Sequence, residues 1–211
     1  MKKQICAALV AGVISMPTMA DFLGVYAGVD YRTTSTSHTA NGYTGGFDDT
    51  NNLSGYIAFE HFIPLIPNAK LKYSYLDAEV SGTSTEINSS EASAILYYEL
   101  FDNDLFELDL GLAYSRIETD FQNLSTDLGQ AYGAAKVHIP GAPVYAFAEV
   151  IAGSLADDDA TDAEFGLAYT FNPDSLLLNV SVRAGYRFQD AEINNFKQEN
   201  KGLFAGLDVH F

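Results

Sequence analysis

Apolar and polar side chains alternate with a period of two along most of this chain. In residues 105–117, Phe106, Leu108, Leu110, Leu112 and Tyr114 share one phase, while Glu107, Asp109, Gly111, Ala113 and Ser115 share the other. A strand points successive side chains to opposite faces, so the run predicts a strand with one greasy and one mixed face. Nine more runs obey the same rule, at 22–32, 53–62, 70–80, 90–101, 127–139, 144–154, 162–171, 176–188 and 202–211. The connections alternate in character. Those at 63–69, 102–104, 140–143 (PGAP) and 172–175 (NPDS) are compact, whereas 33–52, 81–89, 118–126, 155–161 and 189–200 are longer and polar. Ten antiparallel strands in up-and-down order follow.

The greasy phase must meet either a dry core or lipid. In a soluble sandwich or lipocalin-like barrel the opposite phase would carry many Lys and Glu, but here it is rich in Gly, Ala, Ser and Tyr. Aromatic residues near strand ends (Tyr31, Phe59, Tyr98, Phe106, Tyr114, Phe171, Tyr186) suit interfacial girdles. In lipid every backbone polar group must be paired internally, and a closed sheet achieves this with segments that are only half apolar. The predicted fold is an all-β transmembrane up-and-down β-barrel of ten strands, with eight or twelve as alternatives. Short turns on the periplasmic side and long loops outside put both termini in the periplasm.

The start of the chain agrees with export. Lys2 and Lys3 precede an apolar run of about ten residues, and Thr18, Met19 and Ala20 form a small-residue cleavage site. Such a run is half of the roughly 20 residues a spanning helix needs. Residues 1–20 are therefore expected to be a signal peptide and 21–211 the outer-membrane barrel. Cys6 leaves with the leader, and the remaining chain has no thiol for a disulfide or a nucleophile.

Charge narrows the partners. The full chain carries 11 basic and 28 acidic residues, a net −17; the leader holds two lysines and no acid, so 9 against 28 remain, a net −19. This balance argues against nucleic acid as a partner. The long loops carry much of the acid: Asp48 and Asp49 in the first, Glu118 and Asp120 in the third, Asp157, Asp158, Asp159 and Asp162 around the fourth, and Asp190, Glu192 and Glu199 in the fifth. They read as a solvated, repulsive surface or as oxygen donors for divalent cations bridging to lipopolysaccharide. DDDATD lacks the spacing and Gly of a defined calcium loop, and no phosphate-binding Gly loop occurs, so no metal site and no cofactor are assigned.

If the greasy face meets lipid, the lumen receives Asp30, Arg32, Glu60, Lys72, Glu99, Glu107, Asp109, Lys136, His138, Glu149, Glu164, Arg183, Arg187, Asp208 and His210. Hairpin registers place several of these side by side. Pairing Phe62 with Lys70 sets Glu60 beside Lys72, and pairing Phe101 with Leu105 sets Glu99 beside Glu107. Across the next loop Asp109 meets Lys136 and Glu107 meets His138; across NPDS, Glu164 meets Arg183. These nine residues form an expected lumen charge network. One reading is an electrostatic plug; the other takes Glu99 and Glu107 as close carboxylates with His138 as proton partner.

Four segments carry a resemblance: DFLGVYAGVDY at 21–31, AFEHFIPLIPNAKLKYSYLD at 58–77, LYYELFDNDLFELDLGLAYS at 96–115 and LFAGLDVHF at 203–211. They resemble a family of small Gram-negative outer-membrane β-barrel proteins with no assigned activity, whose mature chains begin with a similar LGVYAG stretch. The resemblance covers both ends and about a third of the chain; it implies the fold and the bacterial outer membrane, and no functional residues. It also implies that Phe211 is the terminal aromatic read by the outer-membrane assembly machinery.

Three classes of function then stand. The first is a monomeric structural or surface-interaction barrel with a plugged lumen, whose partners are outer-membrane lipid and lipopolysaccharide. The second is a narrow cation-favouring channel. The third, a lipid or peptide hydrolase, is opposed by the histidines: His61, His138 and His210 fall at periplasmic strand ends and His38 in the first loop, away from outer-leaflet substrates. No catalytic residue is assigned, and the chain is expected not to be an enzyme.

Overall fold

The structure is a computed structural model that describes residues 23–40, 43–155, 158–173, 175, 177–194 and 196–211; the expected leader at 1–20 lies outside these residues. Fourteen strands are assigned, β1 Leu23–Ala40, β2 Tyr43–Gly45, β3 Phe47–Asp48, β4 Thr50–His61, β5 Asn68–Tyr75, β6 Ala78–Val80, β7 Glu86–Ile87, β8 Ser89–Asp102, β9 Phe106–Thr119, β10 Leu124–His138, β11 Val144–Leu155, β12 Asp158–Thr170, β13 Asn179–Ile193 and β14 Phe196–His210. Ten of them, β1, β4, β5 and β8 to β14, pair antiparallel with their chain neighbours, and β14 closes on β1. This is the expected ten-strand barrel. The short β3, β6 and β7 form a separate three-stranded sheet from the first two long connections.

Closure is completed at the last residue. Val25 N–H donates to Phe211 O at 3.1 Å and Phe211 N–H donates to Val25 O at 2.9 Å, so no open edge remains at the seam. Both described ends lie at the short-turn end of the barrel, beside His61 and Asn179.

Element boundaries depart from the pattern where side chains replace ladder partners. β1 runs eight residues beyond Arg32, because Thr33–Ala40 keeps its alternation with threonines and serines rather than greasy residues; Thr is favoured in strands. The third run stops at Tyr75 rather than residue 80. Asn52 Oδ1 accepts from Asp77 N–H at 3.0 Å, and Thr50 Oγ1 donates to Asp77 O at 2.7 Å, which turns the chain out of the wall toward the small sheet. The ninth run starts at Asn179, because Asn172 Oδ1 accepts from Val180 N–H at 2.8 Å and lengthens the NPDS turn.

The faces are inverted relative to a soluble barrel. Large apolar side chains stand exposed on the outer wall, among them Leu112 at 72%, Leu203 at 69% and Phe165 at 60%, whereas Arg32 and Arg187 are each only 2% exposed inside. Burying an unpaired charge is costly and leaving a girdle of Leu, Val and Phe in water is equally unfavourable, so the arrangement fits an apolar surround. The inner face is not uniformly polar. Ile95, Tyr97, Ala113, Tyr132 and Ile151 form an apolar cluster within the lumen, and Ile117, Leu128, Ala160 and Ile193 form a second toward the long-loop end.

Candidate functional site

From the short-turn end, the lumen begins as a vestibule of about 290 Å³. Glu60, Glu99, Glu107, Asp109, Lys136 and His138 all line it, together with His61, Asp208 and His210. Glu107 is the centre of one triad: Lys136 Nζ lies 2.7 Å from Oε2 and His138 Nε2 lies 2.6 Å from Oε1. Glu60 accepts from the Tyr97 hydroxyl at 2.6 Å, and Glu99 accepts from Asn68 Nδ2 at 2.8 Å.

Deeper in, the wall is bridged by a dense ion network. Lys72 Nζ contacts Glu149 at 2.8 Å, Asp162 at 3.0 Å and Glu164 at 3.2 Å, and Lys70 also bonds Glu149. Arg183 grips Asp30 through both Nε, at 2.7 Å, and Nη2, and reaches Glu164 at 3.1 Å. Its guanidinium also lies 5.2 Å from the Phe147 and Phe204 ring centres and 5.7 Å from that of Tyr56. Arg187 binds Asp162 in bidentate fashion, at 2.8 and 2.6 Å, and donates to Ser54 and Ser74 at 2.8 Å each. Above this layer Glu91 accepts from Gln189 Nε2 at 2.9 Å, and Gln189 Oε1 accepts from Arg32.

The buried charged side chains balance. Five cations (Arg32, Lys70, Lys72, Arg183, Arg187) face five carboxylates (Asp30, Glu91, Glu149, Asp162, Glu164) among the described residues. Eight of them pair directly across strands where water cannot reach, while Arg32 and Glu91 are joined through the neutral Gln189. Over the network sits the apolar cap, where His38, 4% exposed, stacks on Phe47 of β3 at 4.3 Å and meets Phe196 at 5.1 Å.

Several expected neighbours are reassigned by the registers. Glu60 lies next to Asn68 rather than Lys72, because β4 and β5 pair Ser54 with Ser74 and Lys72 falls opposite Tyr56. Glu99 lies opposite Asp109 rather than Glu107, since a register shift between Glu99 and Phe101 displaces the hairpin. Lys136 lies opposite Glu107, and His138 reaches the same carboxylate diagonally. Asp109 therefore loses Lys136 as its cross-strand partner. Glu164 lies opposite Arg187, and meets Arg183 only on the diagonal. The nine expected residues thus divide between the vestibule and the deeper network.

Most of the loop placements also change: Asp48, Glu118, Asp158, Asp159, Asp190, Glu192 and Glu199 fall within β3, β9, β12, β13 and β14, because the barrel ladders extend beyond the expected runs and the small sheet takes up part of the first loop. Asp162 is 2% exposed inside β12 rather than in an outer loop, because the alternation of Asp162 and Glu164 continues inward from Asp158. His38 belongs to β1 rather than to the first loop. Lys70 and Glu91 were missed as lumen residues, although each lies in phase with an assigned inward neighbour, Lys72 and Glu99. Asp157 lies outside the described residues. Among the described residues no group of three His, Cys, Asp or Glu side chains is arranged to hold a metal ion.

The fold and its interior define a closed, ten-strand, up-and-down β-barrel with an apolar outside and a charge-paired inside. No protein-family model and no curated protein matches the chain. Solved structures of similar shape include neisserial surface protein A, at 18% identity over 92% of this chain and 100% of that one, with a TM-score of 0.37. The outer-membrane protease OmpT from Escherichia coli matches at 9% identity over 94% and 99% of the two chains, TM-score 0.49. The translocator domain of the autotransporter NalP from Neisseria meningitidis matches at 14% over 99% and 94%, TM-score 0.42. At such values the likeness is to an architecture, and the fold itself rests on the ladders described above.

Proposed function

We propose that this chain is an integral barrel of the bacterial outer membrane, monomeric, with a structural or surface-interaction role and a lumen closed to solutes. The observation that carries this reading is the network of four buried cations and four buried carboxylates spanning the lumen, extended through Gln189 to Arg32 and Glu91 under an apolar cap. An ion crossing it would have to replace charge-assisted hydrogen bonds in a region where unpaired charge costs several kcal/mol. Outer-membrane lipid and lipopolysaccharide are the partners of the outer wall and loops, and the assembly machinery is the partner of Phe211; short turns and both ends of the barrel face the periplasm.

No enzymatic role is part of this reading. His138 is engaged by Glu107, and the nearby vestibule hydroxyls of Thr170 and Ser181 bond each other at 2.9 Å. A cation-favouring channel is the second reading, supported by the acid-rich vestibule. Planar-bilayer recording of the refolded barrel separates the two. Electrical silence is expected; steady cation-selective openings of the wild type would overturn the closed-lumen reading.

A further inference from the structure

One short turn differs from the others in chemistry. The six residues between β4 and β5, Phe62, Ile63, Pro64, Leu65, Ile66 and Pro67, are all apolar and mostly bulky, whereas 102–104 is Asp-Asn-Asp, 140–143 is the small PGAP and 172–175 is NPDS. Among the described residues Leu65 is the most exposed large apolar side chain, at 89%, above any on the outer wall. Phe62, Ile63 and Ile66 are exposed as well. A contiguous apolar patch of this kind marks a contact that the chain itself does not supply.

The backbone of this turn needs little from water. Pro64 and Pro67 have no N–H to satisfy. Ile63 N–H donates to His61 Nδ1 at 3.2 Å, Ile66 N–H donates to Ile63 O at 3.2 Å, and Asn68 Oδ1 accepts from His61 N–H at 3.0 Å, which fixes the base of the turn. Its direction is set by Tyr98, whose hydroxyl donates to Leu65 O at 3.3 Å. Tyr98 belongs to the outward phase of β8, the strand that pairs with β5. The turn therefore leans over the outside of the wall, at the level of an aromatic girdle, rather than over the mouth of the vestibule.

We propose that residues 62–67 are a lipid-inserted anchor, with Leu65 and Ile66 held among the acyl chains of the periplasmic leaflet beside Tyr98. The anchor rests on the membrane reading given above, and turns this one connection back from the periplasm into the bilayer. A protein partner fits the surface less well. Interfaces between proteins carry about one hydrogen bond per 100–200 Å², and this turn has no polar side chain to offer while its backbone is already engaged. An acyl layer asks for no hydrogen bonds and admits backbone whose polar groups are satisfied internally. With no charge in the turn, the anchor takes phospholipid of any head group.

The chain beyond residue 20 has no cysteine, so single thiols can be introduced for labelling. Leu65→Cys, Ile66→Cys, Asp104→Cys in the polar turn and Leu112→Cys on the outer wall are each spin-labelled in phosphatidylcholine vesicles. Collisions of the label with oxygen, which concentrates in lipid, are compared with those of a water-soluble nickel chelate. The oxygen-to-nickel ratio for Leu65→Cys and Ile66→Cys is expected to approach that for Leu112→Cys and to exceed that for Asp104→Cys about tenfold. The same ratios are expected in equal parts phosphatidylcholine and phosphatidylglycerol. Each variant is checked for folding by its heat-dependent gel shift. Nickel collisions for Leu65→Cys and Ile66→Cys as frequent as for Asp104→Cys would put the turn in water, and few collisions with either reagent would put it under a second copy. Either result, or a ratio that follows the head group, would overturn the anchor alone. A label at Leu112→Cys that nickel reaches as freely as Asp104→Cys would instead overturn the membrane reading.

Discussion

Arg187 and Arg32 are equally buried, yet their surroundings differ enough to predict different costs of removal. Arg187 satisfies Asp162 through two bonds and holds Ser54 and Ser74, whereas Arg32 donates to the neutral Gln189, and its Nε and Nη2 lack partners. Arg187→Met leaves Asp162 a buried carboxylate stripped of its closest cation, and a loss of about 3–5 kcal/mol is expected. Arg32→Met forfeits one hydrogen bond and removes two unsatisfied donors, so about 1–2 kcal/mol or less is expected. The double change Arg187→Met with Asp162→Leu should recover most of the single loss. Urea unfolding in lipid vesicles reads all three; equal losses for the two arginines would refute the ranking. At this scale parity alone revealed the inward direction of Glu149, Glu164, Arg183 and Arg187. It did not reveal who touches whom, because β-hairpin partners depend on turn length and on the irregularity after Glu99. Asp162 was misplaced because an Asp-rich stretch resembles a loop in composition while its phase belongs to a strand.

At the scale of elements, the seam between β14 and β1 is the contact that closes the barrel and the one most dependent on the carboxy terminus. Deleting Phe211 removes its two backbone bonds with Val25 and is expected to lower the folded fraction in cells, as read by heat-dependent gel shift, without changing the lumen. Normal assembly of the truncated chain would count against the role given to Phe211. Further up the same seam, a Cβ on Gly202 would lie 1.7 Å from Thr33 O. Gly202→Val therefore forces the two strands apart and should reduce refolding yield more than Leu203→Val, whose side chain points outward. The ten strands themselves were legible because one face of each carries Leu, Phe, Tyr or Val at alternate positions. The polar extension of β1 and the small sheet of β3, β6 and β7 were not. Their alternation is written in Thr, Ser and His, or is too short to stand above the loop composition around it. Large apolar residues inside the barrel were missed for the opposite reason. In β8 the stretch from Ile95 to Tyr98 is apolar in both phases, so its inner members Ile95 and Tyr97 carry no contrast to read.

For the whole molecule, the interior and the exterior answer to salt differently. Buried pairs are little screened, while exposed charges lose their reach beyond about 8 Å at physiological ionic strength. The urea midpoint is therefore expected to move little between low and high sodium chloride, and a large fall in high salt would argue that the lumen network is open to water. The ten buried charges of the interior sum to zero, so the entire net charge, −17 for the full chain and −19 without the expected leader, resides elsewhere. Much of it sits at the long-loop end, in the outer strand ends and the connections between them, on the same side of every copy. Neighbouring barrels in one membrane would then hold each other at a distance through their crowns, and would draw together as monovalent salt or divalent cations rise. The crowding of these molecules in a bilayer becomes a property set by the surrounding medium rather than by their walls.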